Sequence, residues 1–265
     1  MRIGCAASAA DIDVVSKAGF DYIELSARHV LGLDSAAFKA LADKLERIGL
    51  PCAGFNSYCP PRIKMAGPGF SLPEAEAYAK DVLMAARALG AQHVGVGSPM
   101  SRILPEGYPK DLANREIREF FLATANVFAE RGIYVLVEPL GPCYCNFINT
   151  ISEAAGIVAD IAHPFLALLP DFYNMERSGE GDKDLTSYQT MICHTHISDD
   201  AGSALKRDFL LEERYPLHKT RIQNLASTGY DRSISIEIDM PAELQKAESN
   251  LEFLRKICCP QAKVS

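Results

Sequence analysis

Short apolar segments rich in β-branched residues alternate with longer segments of helical periodicity along the whole chain. The first kind predicts eight strands, at residues 2–5, 22–26, 51–56, 93–97, 133–138, 165–171, 192–198 and 233–239. The second kind predicts eight helices, at residues 10–18, 35–48, 73–89, 112–131, 152–161, 184–191, 217–227 and 242–256. Strands that alternate with helices indicate a parallel sheet. Eight such units in about 250 residues predict an α/β fold of the (β/α)8 TIM-barrel type.

Glycines mark the ends of the predicted helices. Five of them stand just after a helical segment and just before a strand, at Gly19, Gly49, Gly90, Gly132 and Gly229. Glycine accepts the left-handed conformation that commonly ends a helix at little steric cost. Because no linker separates the units, we expect residues 1–265 to form one domain.

Four predicted strands end with a side chain that can bind a metal: Glu138, Asp171, His196 and Glu237. In this type of barrel the loops after the strands form the functional face. In the last strand, isoleucines alternate with polar residues, so we expect Glu237 to face the barrel axis. Three carboxylates and one imidazole suit one divalent ion: Mn²⁺, Mg²⁺, Co²⁺ or Zn²⁺.

Composition narrows the classes of function. Hydrophobic residues make up 48% of the chain, which is typical of a folded protein. The net charge of −7 argues against a nucleic-acid partner, because such proteins need positive charge to displace counterions from phosphates. No apolar run approaches the roughly 20 residues that cross a bilayer. The first residues lack a signal-peptide pattern, and the eight cysteines show no two-residue spacing. We therefore expect reduced thiols and a cytoplasmic location.

Six short segments carry a resemblance to a known family: Val-Glu-Pro-Leu (137–140), Asn-Thr (149–150), Asp-Phe-Tyr-Asn-Met (171–175), His-Thr-His-Ile-Ser-Asp (194–199), Gly-Tyr-Asp (229–231) and Ser-Ile-Glu (235–237). With these segments the sequence resembles the xylose isomerase-like barrels, which include ketose 3-epimerases, hydroxypyruvate isomerase and endonuclease IV. The resemblance spans most of the sequence and is densest between residues 133 and 238.

The resemblance implies that Glu138, Asp171, His196 and Glu237 bind one divalent metal. It also implies that Glu138 and Glu237 act as acid and base on opposite faces of the substrate. The expected activity is isomerisation or epimerisation of a small sugar, polyol or keto-acid through an enediolate, with proton abstraction next to a carbonyl.

Other functions remain open on the same frame. A dehydratase or lyase would begin with the same proton abstraction and then expel a hydroxyl group. A barrel subunit of a heteromeric assembly would bind without catalysis. Endonuclease activity in this family uses three metals and additional histidines. At or near those places this sequence has Asn56, the Gly97-Ser98 pair and Asn174, which argues against a nuclease.

The chain departs from the ketose epimerases around the metal ligands. Asn174 stands where the family has the histidine of Asp-x-x-His, and an amide cannot take up a proton at neutral pH. The family arginine that follows the metal-binding histidine would lie near Gly202, where the nearest basic residues are Lys206 and Arg207. Near Tyr144 a family acid is missing. We therefore expect a changed sugar-binding shell around a retained metal site.

Five residues are candidates for contact with the substrate. Glu24 ends the second strand, although a buried structural acid would look the same. Arg102 could bind an anionic group or be an exposed loop arginine, and His194 could face the substrate or lie in the interior. Tyr144 and Asn174 complete the set. The expected partner is a small carbohydrate-like molecule, and a homodimer or homotetramer stays open.

Overall fold

In the computed structural model, which describes residues 1–258, eight parallel strands form one sheet in the order β6-β5-β4-β3-β2-β1-β10-β7. These strands are β1 (Arg2–Ala6), β2 (Tyr22–Ser26), β3 (Cys52–Asn56), β4 (His93–Val96), β5 (Tyr134–Val137), β6 (Leu166–Leu168), β7 (Thr195–Ile197) and β10 (Ser233–Glu237). Isolated parallel bridges from Leu168 to Ile192 and from Asp171 to His196 join β6 to β7 and close the ring. The predicted (β/α)8 barrel is confirmed.

Helices surround the sheet. They are α1 (Ile12–Ala18), α2 (Ala27–Leu31), α3 (Ser35–Ile48), α4 (Leu72–Leu89), α5 (Lys110–Ala129), α6 (Ile151–Ile161), α7 (Phe172–Arg177), α8 (Tyr215–Ser227) and α9 (Leu244–Cys258). Helices α1, α3 and α4 end at the predicted glycines, each of which has a positive φ. Among the described residues, no helix is long and apolar enough to cross a membrane.

The helix predicted at 184–191 is wrong. That segment contains only a short 3₁₀ turn at Thr186–Tyr188, and the helix that follows β6 is α7, directly after the strand. Asp171 starts α7, because its Oδ1 accepts a hydrogen bond from the backbone N–H of Tyr173 at 2.8 Å. A side-chain oxygen at this position satisfies a donor that the helix itself leaves unpaired.

A small antiparallel hairpin over the barrel was not predicted. It consists of β8 (Asp199–Asp200) and β9 (Arg207–Asp208). Two-residue strands are too short for hydrophobic alternation to reveal them. The hairpin follows β7, so it lies on the face of the barrel where the strands end.

The two faces of the sheet carry buried side chains of different kinds. Outward side chains such as Ile234 and Ile236 join the large apolar core beneath the helices. Inside the ring, a small apolar cluster of Leu136, Ala167 and Leu169 fills one side. Polar side chains fill much of the remaining interior: Glu24, His93, His194, His196 and Ser235, all buried. The barrel interior thus carries ionisable groups directly below the strand ends.

Candidate metal and acid–base site

The structure brings together the four side chains that the sequence placed at strand ends. Glu138 follows β5, Asp171 follows β6, His196 lies within β7 and Glu237 ends β10. Each offers a ligand atom, and these atoms all lie within 4.8 Å of one another. We call this group the upper carboxylate cluster. Its members come from consecutive positions around the ring, so the fold alone suffices to assemble them.

Backbone and amide donors orient Asp171 and Glu138. The Oδ2 of Asp171 accepts a hydrogen bond from Nδ2 of Asn174 at 2.8 Å. The same Nδ2 donates to Oε1 of Glu138 at 3.2 Å. On the other side of Glu138, a Cβ at Gly97 would collide with Oε2. Glycine at that position therefore leaves room for the carboxylate.

Glu237 is held by residues from three different strands or loops. Its Oε1 accepts a hydrogen bond from Nδ2 of Asn56 at 3.0 Å, and its Oε2 pairs with the guanidinium of Arg207. Nδ1 of His196 lies 3.4 Å from the same Oε2. Asn56 carried only a weak signal in the sequence, as a polar residue at the end of a strand.

Arg207 is the main residue of this site that the sequence analysis did not include. It comes from the β8–β9 hairpin, is 6% exposed, and places Nη1 2.5 Å from Oδ2 of Asp171 as well as against Glu237. Its guanidinium lies 5.0 Å from the ring of Tyr173 and 5.8 Å from that of Tyr144. The one signal available was its position near the place of the family arginine, five residues beyond Gly202.

Burial and crowding shift the titration of the cluster. Burial, together with the neighbouring charges of Glu237 and Asp171, raises the pKa of Glu138 well above its usual range. Burial also opposes the ionisation of Glu237, but Arg207 and His196 outweigh it and hold the pKa of that carboxyl low. Two chemically identical groups in one cluster thus favour different protonation states.

The chemistry of the donors fits a divalent cation. Three carboxyl groups contribute six oxygens, of which Nη1 of Arg207 pairs with one on Asp171 and one on Glu237. Within the described residues, Nδ1 of His196 is buried and makes no hydrogen bond of good geometry, although Oε2 of Glu237 lies 3.4 Å from it. Carboxylate oxygens and imidazole nitrogens are ligands that Mn²⁺, Mg²⁺, Co²⁺ and Zn²⁺ accept. We therefore regard the four residues as able to hold such an ion.

A cavity of about 230 Å³ opens above the cluster. It is large enough for a small polar molecule, and its lining combines charged, polar and apolar side chains. Its walls are formed by Arg28, Ser57, Gly97, Ser98, Pro99, Glu138, Leu140, Tyr144, Leu205, Arg207, Glu237 and Asp239.

Of the five residues predicted to contact a substrate, Tyr144 is on the cavity wall and Glu24, Arg102, Asn174 and His194 are not. The hydroxyl of Tyr144 is buried, and the guanidinium of Arg207 lies 5.8 Å from the centre of its ring. Arg102 is fully buried rather than exposed, and its Nη2 donates to the backbone carbonyl of Glu138 at 2.9 Å.

Glu24 and His194 lie deeper in the barrel, in what we call the lower histidine network: Glu24, His93, His194 and Ser235. The carboxylate of Glu24 pairs with Nε2 of His194 at 2.7 Å, with Nε2 of His93 at 3.3 Å, and with the hydroxyl of Ser235. It also meets Nε2 of His196, the shared neighbour of the two groups, at 3.2 Å. Burial lowers the pKa of His194 to about 4.

Solved structures with the same fold include sugar-processing enzymes. A D-psicose 3-epimerase crystallised with D-fructose superposes with a TM-score of 0.75 at 14% identity, covering 97% of this chain and 99% of that one. A 3-keto-D-glucoside 4-epimerase from E. coli gives 0.72 at 18% identity, with 97% and 99% covered. An AP endonuclease of family 2 from Brucella melitensis gives 0.70 at 21% identity, with 96% of each chain covered.

These identities establish a shared fold and no more. No curated protein matches the sequence significantly. A sequence model of one family does match, over residues 12–257. This match covers nearly the whole chain, including all four residues of the upper carboxylate cluster. The protein belongs to the xylose isomerase-like TIM barrel family.

Proposed function

We propose that this protein is a divalent-metal-dependent isomerase or epimerase that exchanges a proton next to the carbonyl of a small sugar, polyol or keto-acid. One observation carries the proposal: Glu138 and Glu237 meet at the floor of a cavity of about 230 Å³, with Asp171 and His196 beside them. The names of two structural neighbours, both sugar epimerases, agree with it.

Glu138, Asp171, His196 and Glu237 would hold the metal, with Mn²⁺, Mg²⁺, Co²⁺ and Zn²⁺ as the candidates. When bound, it supplies a Lewis acid that polarises the substrate carbonyl and stabilises the negative charge of an enediolate. Tyr144 lies on the cavity wall and is the predicted substrate contact that this proposal retains. Among the other predicted contacts, Arg102 and Asn174 touch Glu138 and Glu24 touches His196.

The environments of the two glutamates favour different roles. Arg207 and His196 lower the pKa of Glu237 against the effect of burial, which supports Glu237 as the base that removes the proton beside the carbonyl. Glu138 retains a proton more readily and can return one to the other face. Environments that push the pKa values of two acids apart are typical of acid–base pairs. A protonated Glu138 could also assist a leaving hydroxyl, so a dehydratase is the second candidate.

The test is proton exchange in deuterated water. Mn²⁺-loaded protein is incubated with a panel of ketoses, inososes and hydroxy-keto acids and followed by proton NMR. We expect deuterium to enter at the carbon next to the carbonyl of at least one compound. Loss of water instead would identify a dehydratase. No exchange with any compound, despite bound metal, would overturn the proposal in favour of a binding or assembly role.

Two variants make this test specific to the site. Glu237→Gln removes the proposed base and should abolish exchange. Glu212→Gln changes an exposed acid of the 3₁₀ turn at Glu212–Arg214 and should exchange as fast as the unmodified protein. Equal loss in both variants would point to damage to the fold rather than to the chemistry.

A further inference from the structure

Asn174 occupies the position of the family histidine, but its surroundings assign it a different task. It lies in the first turn of α7 and is 1% exposed. Its Nδ2 donates to Asp171 at 2.8 Å and to Glu138 at 3.2 Å. Its Oδ1 accepts a hydrogen bond from the backbone N–H of Gly141 at 3.1 Å.

These contacts use both N–H donors of the Asn174 side chain. A side-chain amide has two N–H donors and one carbonyl oxygen, and here both donors reach carboxylates while the oxygen holds the loop after β5. A histidine at this position would have only two ring nitrogens. It could not donate to two carboxylates and also accept a hydrogen bond from a backbone N–H. Asn174 therefore has no donor left for a substrate, and it is absent from the cavity wall.

The contact with Glu138 has no substitute nearby. Within residues 1–258, Asn174 makes the one side-chain hydrogen bond that the Glu138 carboxylate receives. Gly97 gives Oε2 its space without holding it. Asp171 has further support, from the backbone N–H of Tyr173 and from Arg207. Loss of the Asn174 amide would therefore make the Glu138 carboxylate more mobile than the Asp171 carboxylate.

We propose that Asn174 is a positioning residue that fixes the carboxylates of Glu138 and Asp171 relative to each other for the metal; this rests on the metal site of the proposed function. The amide is neutral, so it orders the two acids without cancelling the charge that attracts a cation. Partners that orient metal ligands typically change metal affinity by roughly 10–100-fold when removed.

The experiment is a titration of metal-free protein with Mn²⁺ by isothermal calorimetry. Asn174→Ala and Asn174→Leu should each bind Mn²⁺ about tenfold or more weakly than the unmodified protein. Asn250→Ala is the matched control. Asn250 is also a buried amide, but it holds the backbone of Leu210, accepting from its N–H at 2.7 Å and donating to its carbonyl at 3.2 Å. It should lose stability and keep its Mn²⁺ affinity within about twofold.

The outcomes separate this proposal from the proposed function. Unchanged Mn²⁺ affinity in both Asn174 variants, with only a higher KM for an exchanged substrate, would overturn the positioning role and support a substrate contact. Equal weakening in the Asn250 control would also overturn it. If the unmodified protein binds no Mn²⁺, the metal-dependent function itself fails. If it binds Mn²⁺ but exchanges no substrate, that function fails while the loss of affinity at Asn174 still supports the positioning role.

Discussion

Two groups of ionisable side chains share the axis of this barrel, and they are balanced in opposite ways. The upper carboxylate cluster has three acids, one guanidinium and an imidazole whose Nδ1 lies 3.4 Å from Oε2 of Glu237. The lower histidine network has one acid, Glu24, surrounded by His93, His194 and Ser235. The first opens into a cavity, whereas Glu24 is fully buried.

The difference supports the proposal that the upper carboxylate cluster binds a ligand and that the lower histidine network stabilises the fold. A buried polar group is costly unless it is paired, so a fully paired network stabilises the fold and has nothing left for a ligand. Excess acceptors at a cavity remain costly until a cation neutralises them. His196 joins the two groups, since Nε2 faces Glu24 and Nδ1 faces Glu237. The lower network can therefore orient the ring for the upper one.

The largest expected effect comes from breaking the lower histidine network. Glu24→Ala removes the common partner of three histidines and leaves buried donors unpaired. Removing one partner of a buried pair typically lowers the free energy of unfolding by about 3–5 kcal/mol. Urea unfolding of the metal-free protein measures this change. A loss below about 1 kcal/mol would show that pairing in this network does not support the fold.

The corresponding change in the upper carboxylate cluster should behave in the opposite way. Glu138→Gln keeps an oxygen for Asn174 and replaces an acid whose ionisation is opposed by burial and by the charges of Glu237 and Asp171, which raise its pKa. We expect metal-free stability to stay within about 1 kcal/mol of the unmodified protein or to increase, while Mn²⁺ affinity is lost. Urea unfolding and calorimetry on the same sample test both halves. Strong destabilisation without metal would remove the contrast between the groups.

Two glycines, one beside each group, allow the two groups to be compared by adding a methyl group. A Cβ at Gly54 would collide with the ring of His93, and a Cβ at Gly97 with Oε2 of Glu138. Overpacking a tight interior typically costs about 1–3 kcal/mol. We expect Gly54→Ala to lower the free energy of unfolding by that amount with Mn²⁺ affinity retained. Gly97→Ala should weaken Mn²⁺ binding more than it lowers stability. The reverse pattern would contradict the assignment of the two groups.

The sequence predicted the fold and the four proposed metal ligands because both follow from regular spacing. Alternation placed Glu237 on the inner face of its strand, and strand ends meet at one edge of any parallel barrel. Arg207 could not be found in this way. Its place depends on a hairpin of two-residue strands, which leaves no periodic signal.

The roles of the polar residues were harder to predict than their positions. Glu24 and His194 point inward, as the alternation of side chains along a strand requires. The same alternation does not indicate how deep in the barrel a side chain lies. The sequence predicts Asn174 as a substrate contact, whereas both of its N–H donors reach the carboxylates of Asp171 and Glu138. Which partner a polar side chain finds depends on contacts between distant segments.

The smallest expected effect is at Asp199, away from the barrel axis. It tests whether a buried acid whose partners are all within the protein stabilises the fold. This buried acid meets Nε2 of His218 at 2.8 Å and Nε of Arg214 at 2.9 Å, and accepts the N–H of Leu211 at 2.8 Å. Burial opposes its ionisation, but these partners outweigh burial and lower its pKa. The unfolded chain therefore binds the proton more tightly than the folded one, and the contribution of Asp199 to stability decreases as pH falls.

Asp199→Asn should lower the free energy of unfolding by about 1.5 kcal/mol at pH 7, as expected for hydrogen bonds to a charged group. Above the ordinary pKa of an aspartate, about 3.9, this difference should be constant. It should shrink as pH falls below that value, because the unmodified side chain then loses its charge as well. Urea unfolding of both proteins at pH 7, 5 and 3 measures the change. A difference that grows toward pH 3 would mean that the paired carboxylate destabilises the fold, and pairing would then not distinguish structural acids from those of the cavity.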